Sequence, residues 1–160
     1  MSLLFFLAAI PEEFFKFVFL KRYIISEKCD EPYDMVFYGA MVSVGFAAVE
    51  NVGYVMDHGL GVAVARAFTA VPLHAICGAI MGYGLLQSKM SYGRKSLGDK
   101  YFSWPVMKGA LLLPVMIHGL YNWPLCVGIP SLFLICFWVG VCIYAVKRFR
   151  KIMNEVRQMT

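Results

Sequence analysis

Four groups of polar residues interrupt the long apolar stretches of this chain, and their side chains are those that hydrolytic enzymes use. The groups are Glu12-Glu13-x-x-Lys16, Phe46-x-x-x-Glu50-Asn51, His74 and His118-x-x-x-Asn122. A carboxylate can take a proton from water, and an imidazole or an amide can donate hydrogen bonds to a developing oxyanion. The same carboxylates and imidazoles can instead bind a divalent metal that activates the water. The sequence therefore predicts a hydrolytic site and leaves these two mechanisms open.

The stretches around these groups are long and apolar enough to cross a membrane. Hydrophobic residues make up 60% of the 160, charged residues make up 16%, and the mean hydropathy is +0.66. A soluble domain carries about 25% charged residues. Ionisable side chains at membrane depth are costly, so they normally face the interior of a helix bundle and serve a function. We therefore expect an all-α, polytopic transmembrane bundle whose polar groups converge on one cavity.

Five membrane spans are predicted, at residues 2–25, 35–57, 60–87, 105–123 and 125–146. Each has about the 20 residues that a bilayer requires. Together they form a single bundle over 1–146, followed by a basic tail over 147–160, and a chain of this length has no room for a separate soluble domain. Only a tight turn at 128–130 divides the last two spans.

The basic residues of the predicted loops and tail are confined to one side of the predicted membrane. They occur after the first span, after the third span and in the tail, whereas the loops at 57–59 and 126–128 contain no lysine or arginine. The positive-inside rule then places the N-terminus outside and the C-terminus in the cytoplasm. We expect an integral protein of a bacterial or archaeal cell membrane. Because the net charge of +5 follows from this topology, no nucleic-acid partner is predicted.

Glycines and cysteines within the spans are expected to serve packing. Gly78 and Gly82 have the spacing of close helix–helix contacts. The cysteines, at positions 29, 77, 126, 136 and 142, form no Cys-x-x-Cys pair. They are predicted to be small core residues and not disulfide partners or metal ligands.

The spacing in the first group leaves the roles of its two acids open. Glu12 and Lys16 are four residues apart and so lie on one helix face, whereas Glu13 is rotated by about 100°. A pair between a glutamate and Lys16 would neutralise one carboxylate and leave the other for chemistry, or would only hold helices together. Lys16 would keep Glu12 ionised, as a base requires, yet would also restrain it. Either acid is therefore a candidate base.

The remaining groups suggest their own partners. An ionised Glu50 needs a nearby positive charge, which Arg66 can supply unless its side chain extends to the outer interface. His118 and Asn122 share a face, so the amide can orient the imidazole or stabilise an oxyanion. His74 lies in mid-span, where it either packs or catalyses. If a divalent metal such as zinc takes part, the expected ligands are Glu13, Glu50, His74 and His118. A glutamate-based enzyme requires no cofactor.

In their order and their placement on separate spans, the four groups resemble the motifs of the PrsW family of bacterial intramembrane proteases. The resemblance covers about residues 8–123. It implies a glutamate-based or metal-assisted peptidase that cleaves a membrane-anchored protein, such as an anti-sigma factor, near the extracytoplasmic side. The functional set that it implies is Glu12, Glu13, Glu50, His74 and His118. We add Asn122 as a catalytic residue, and the supporting residues are Lys16, Phe46, Asn51 and Arg66.

Family members usually have further N-terminal spans, so we expect this chain to be the core of a longer protein. Three other functions stay open. The related CAAX-prenyl endopeptidases typically have an arginine after the paired glutamates and a histidine after the phenylalanine, where this chain has Lys16 and Glu50. A proton-coupled transporter can use buried acids and histidines as a relay. A catalytically silent membrane-binding protein is the third.

Overall fold

The computed structural model describes residues 2–26, 29, 31–127 and 131–158. Over these residues the chain folds into seven α-helices without a β-strand, which confirms the predicted all-α class. The helices are α1 (Ser2–Ile24), α2 (Pro32–His58), α3 (Leu60–Phe68), α4 (Ala70–Tyr92), α5 (Arg94–Lys100), α6 (Trp104–Val127) and α7 (Ser131–Arg157). The predicted turn at 128–130 lies outside the described residues.

Five of these helices, α1, α2, α4, α6 and α7, contain between 23 and 27 residues. At about 1.5 Å per residue, each exceeds the roughly 30 Å of a bilayer's hydrocarbon core. Within the described part of the chain, α2 and α4 combine that length with the apolar composition of a membrane-spanning helix. The long helices lie at the five predicted spans, with one difference at the third.

The prediction of a single helix over 60–87 is wrong. The chain forms the nine-residue helix α3, stops at Thr69 and restarts as α4 at Ala70. Pro72 explains the break, because a proline has no N–H to donate to the carbonyl of Phe68 and its ring clashes with that carbonyl. Gly59, with φ +82°, makes the turn from α2 into α3 in a conformation that favours glycine. At about 14 Å, α3 is too short to span a membrane, so α4 is the third span.

The closest contact in the bundle joins α2 to α4, and glycines make it possible. A Cβ built on Gly78 would overlap the carbonyl of Gly39, and a Cβ built on Gly82 would overlap the carbonyl of Met35. The predicted packing role of Gly78 and Gly82 is therefore confirmed. Because α4 is also buried at every position over 77–86, it is the central helix, and its neighbours are held around it.

The last helix continues without a break from the fifth predicted span into the basic segment and ends at Arg157. Ile152 and Val156 are fully buried, and Tyr83 of α4 donates a hydrogen bond to the carboxylate of Glu155. Residues 147–157 therefore pack against the bundle as part of α7.

The cysteines agree with the prediction only in part. Cys29 and Cys77 are buried, and Cys142 is partly buried. The prediction is wrong for Cys136, which is exposed because it lies on the outward face of α7, where lipid would cover it. None of these four thiols is part of a disulfide bond, and the side chain of Cys126 lies outside the described residues.

Candidate functional site

Ionisable side chains from four helices meet near the middle of the bundle. They are Glu12, Glu13 and Lys16 of α1, Glu50 of α2, His74 of α4 and His118 of α6. Each of these helices is predominantly apolar, and a charge on its outer face would be exposed to lipid. The bundle avoids that cost by turning these side chains toward one another.

Glu13 is at the buried centre of this cluster, with none of its side chain exposed. Its Oε1 atom accepts a hydrogen bond from Lys16 Nζ at 2.5 Å and lies 2.8 Å from Nδ1 of His118. The sequence left open which of the two acids pairs with Lys16, and the structure pairs it with Glu13. Lys16 turns to Glu13, three residues away, because that side of the helix also offers His74 as a second acceptor for its ammonium.

A row of close contacts extends from Lys16 across to α2 and α3. Lys16 Nζ lies 2.7 Å from His74 Nδ1, His74 Nε2 lies 3.3 Å from Glu50 Oε2, and Arg66 Nη2 lies 3.0 Å from the same oxygen. An ammonium can only donate, so while Lys16 carries its proton Nδ1 of His74 is an acceptor. The ring proton of His74 then sits on Nε2, 3.3 Å from Glu50 Oε2, a contact that does not meet hydrogen-bond geometry.

His118 has the opposite arrangement. A carboxylate can only accept, so Glu13 holds the ring proton of His118 on Nδ1. In the neutral ring the lone pair of Nε2 then faces Glu12, whose Oε2 is 3.6 Å away. The rings of His74 and His118 are 4.7 Å apart between centroids and meet edge to face. The two imidazoles therefore present a donor and an acceptor side by side.

The two adjacent glutamates have different surroundings. Glu13 is fully buried in the network, whereas Glu12 keeps 35% of its side chain exposed. Glu12 lines a cavity of about 500 Å³ together with Glu50 and His74. A substrate entering this cavity would reach Glu12 and not Glu13.

Two supporting residues and the predicted catalytic amide of Asn122 occupy three different positions. Phe46 lines the cavity, and its ring packs edge to face against Phe19 at 5.5 Å. Asn51 Nδ2 donates to the carbonyl of Ala63 at 3.3 Å, so this amide ties α2 to α3 instead of entering the cluster. Asn122 is half-buried one turn beyond His118 on α6, and its role at an oxyanion stays a prediction.

Arg66 of α3 is the positive partner of Glu50. This contact decides between the two positions that the sequence left open for the Arg66 side chain. Its side chain is only 12% exposed, so it does not extend to the outer interface. The guanidinium also lies over the ring of Tyr54, 3.7 Å from the centroid. The sequence reasoning missed Tyr54, although its position four residues after Glu50 places it on the same helix face.

Three of the side chains can approach one metal ion. Ligand atoms of Glu12, His74 and His118 all lie within 4.8 Å of one another. Two ligands at about 2.1 Å from zinc are separated by roughly 4 Å at most, so only small side-chain movements would close the set around an ion. The expected ligands were Glu13, Glu50, His74 and His118, whereas the group in the structure has Glu12 as its carboxylate and contains neither Glu13 nor Glu50. In the structure Glu13 lies behind His118, where a carboxylate orients a ligating histidine.

The chain matches one protein family over residues 1–147, described as PrsW family intramembrane metalloprotease. It is 36% identical over 117 residues to Protease PrsW of Geobacillus kaustophilus, covering 72% of this chain and 48% of that protein. It is 37% identical over 153 residues to Protease PrsW of Oceanobacillus iheyensis, covering 90% of this chain and 66% of that protein. Protease PrsW of Bacillus subtilis is 38% identical over 93 residues, covering 58% of this chain and 39% of that protein.

These matches span roughly half to two thirds of the length of the first two relatives. No solved structure is significantly similar to the chain.

Proposed function

Because the chain belongs to the PrsW family of intramembrane proteases, we propose that it hydrolyses a peptide bond of a membrane-anchored protein at the Glu12–His118 pair. The observation that carries the proposal is the contrast between the two adjacent acids. Glu12 faces the cavity beside the free lone pair of His118, whereas Glu13 is buried behind that histidine. This arrangement provides a reactive carboxylate, Glu12, and a second carboxylate, Glu13, that orients the imidazole of His118.

In this mechanism Glu12 is the general base. It takes a proton from a water molecule in the cavity and later returns the proton to the leaving amine. His118 Nε2 accepts a second hydrogen bond from that water and so fixes its direction. Glu13 keeps the ring of His118 in the tautomer that makes this possible.

His74 and Glu50 act on the other side of the substrate peptide bond. While Lys16 donates to Nδ1 of His74, the Nε2–H of this ring is a donor available to the carbonyl oxygen of the substrate. A donor held in place before the reaction stabilises the oxyanion as its charge develops. Glu50, held by Arg66, restrains the His74 ring on the cavity side.

A divalent cation such as zinc fits the same residues. Glu12, His74 and His118 would hold it, with Glu13 as the outer partner of His118. When bound, the cation would lower the pKa of a water ligand and polarise the substrate carbonyl. His118 could bind through Nε2 while Glu13 holds its ring proton on Nδ1, whereas His74 would take a proton from Lys16 onto Nδ1 as its Nε2 proton leaves to water.

We further propose that the substrate is a single-span protein such as an anti-sigma factor and that cleavage occurs near its extracytoplasmic side. The support is the resemblance of the four motifs to the PrsW family and the positions of Glu50 and His118, which lie nearer the helix ends that the charge pattern places outside. The basic loops support a cytoplasmic C-terminus.

The proposed orientation predicts a pattern of chemical labelling. With the native cysteines replaced by serine or alanine, a cysteine at Ser96 should react with a membrane-impermeant maleimide only after the cells are opened. A cysteine at Asp57 should react in intact cells. The reverse pattern would contradict the orientation and, with it, cleavage near the outer side.

The test of the function is hydrolysis by the purified protein in liposomes. We expect cleavage of a co-reconstituted single-span reporter, detected as two fragments by mass spectrometry. If a cation takes part, 1,10-phenanthroline should lower the rate at least about tenfold, and added zinc should restore it. Unchanged cleavage in the presence of the chelator would indicate a glutamate-based enzyme that requires no cation. No cleavage, combined with proton uptake driven by a pH gradient, would favour the transporter.

A further inference from the structure

We propose that the cavity beside Glu12 is a specificity subsite for a large apolar side chain of the substrate's own membrane segment. The side chain would lie about three to five residues from the cleaved bond, on the side of the basic loops. This inference rests on the proposed proteolytic function and adds a rule for the choice of substrate.

The cavity has two chemically different ends. Its polar end is formed by Glu12, Glu50 and His74. Its remaining wall is apolar or aromatic and consists of Phe19, Tyr23, Val42, Gly45, Phe46 and Val49. When a peptide bond is held at the polar end, the neighbouring substrate residues on the side of the basic loops therefore lie against an apolar wall.

The apolar wall extends from the cluster in one direction. On α1, Phe19 and Tyr23 follow Glu12 by 7 and 11 residues, which corresponds to about 10 and 16 Å along the helix. On α2, Val42 and Gly45 precede Glu50 and so lie toward the same connecting loop. An extended peptide advances about 3.3 Å per residue. The cavity therefore reaches roughly the third to fifth residue from a bond at Glu12.

The rim of the cavity is open on the side of α1 and α2 that a bilayer would cover. Phe19 is 52% exposed and Val49 is 76% exposed. A membrane segment could enter sideways between these two helices without passing through water. The occupant should be a peptide and not a lipid chain, because an acyl chain at the polar end would bury carboxylates without hydrogen bonds. A peptide places its own amide groups there.

Two glycines of α2 provide a matched pair of variants. A Cβ on Gly45 meets no atom within 4 Å, and Gly45 lines the cavity. A Cβ on Gly53 also meets no atom within 4 Å, but Gly53 is not among the lining residues. Gly45→Phe should therefore fill the cavity, and Gly53→Phe should add the same side chain to the same helix outside it.

The first arm of the experiment measures cleavage preference in liposomes. The probes are two single-span peptides with a leucine–alanine membrane segment and lysine flanks. After the cleaved bond is mapped, one probe carries phenylalanine and the other alanine at the fourth residue from that bond, on the side of the basic loops. We expect the intact protein to cleave the phenylalanine probe about 10- to 100-fold faster. Gly45→Phe should abolish this preference, and Gly53→Phe should retain it.

The second arm measures binding without cleavage. A photoreactive benzoylphenylalanine at Val42, in the Glu12→Gln background, should form an adduct with the phenylalanine probe. The same group at Gly53 should not. Equal preferences in the two phenylalanine variants, or no adduct at Val42, would overturn the subsite. Failure of the intact protein to cleave either probe would count against the proposed function, and the adduct at Val42 would still decide the subsite.

Discussion

Glu12→Gln is expected to lower the rate of peptide cleavage by about 100- to 10,000-fold, the usual contribution of a general base. The amide retains the size of the side chain but cannot take the proton. The fold should be almost unaffected, because Glu12 is 35% exposed and its ionisable partner His118 lies 3.6 Å away. The rate is measured by the appearance of fragments in liposomes, and stability by thermal unfolding in detergent.

Glu12→Asp is the matched control for this variant. It retains the carboxylate but withdraws it by one methylene, so cleavage should fall by less than in Glu12→Gln. A Glu12→Gln protein that cleaves at the normal rate would remove Glu12 as the base. A Glu12→Gln protein that fails to fold would show that the two acids have similar structural roles.

Glu13→Leu is expected to destabilise the protein by about 3–5 kcal/mol, because it leaves the charge of Lys16 buried without its carboxylate. Lys16→Met should destabilise the protein by a similar amount, because it leaves the carboxylate of Glu13 buried without its ammonium partner. Both side chains are almost completely buried, at 0% and 1% exposure. The loss is measured as the free energy of unfolding in a mild detergent.

The double variant Glu13→Leu with Lys16→Met separates stability from catalysis. Replacing both members of a buried ion pair by apolar residues is often neutral, so the double variant should regain most of the stability that either single variant loses. Its cleavage rate should stay low, since His118 no longer has the carboxylate that fixes its tautomer. Equal losses of stability in all three variants would contradict the paired role of Glu13 and Lys16.

The five long helices could be predicted because hydropathy reports the length of apolar segments. The predicted first span, 2–25, begins at the same residue as α1 and ends one residue later. The break at Thr69 was missed for the same reason, since an apolar run does not reveal whether its backbone is continuous. Pro72 was the available signal, because a proline disturbs the preceding turn.

The convergence of the polar groups could also be predicted, because lipid excludes charged side chains from the outer faces of all four helices. Their pairing could not. Spacing on a single helix put Glu12 and Lys16 on one face, whereas the structure pairs Lys16 with Glu13 and places His74 beside Lys16 and His118 beside Glu13. These two imidazoles belong to other helices, and their positions depend on how closely those helices pack.

The glycine contact between α2 and α4 connects the shape of the backbone to the tolerance of the chain for genetic change. Glu50 belongs to α2 and His74 belongs to α4, so the 3.3 Å between their side chains depends on how closely these two helices approach. A single methyl group at Gly78 would push the helices apart and lengthen that distance. A random mutation there would resemble the loss of a catalytic side chain, although glycine contributes no functional group to the chemistry.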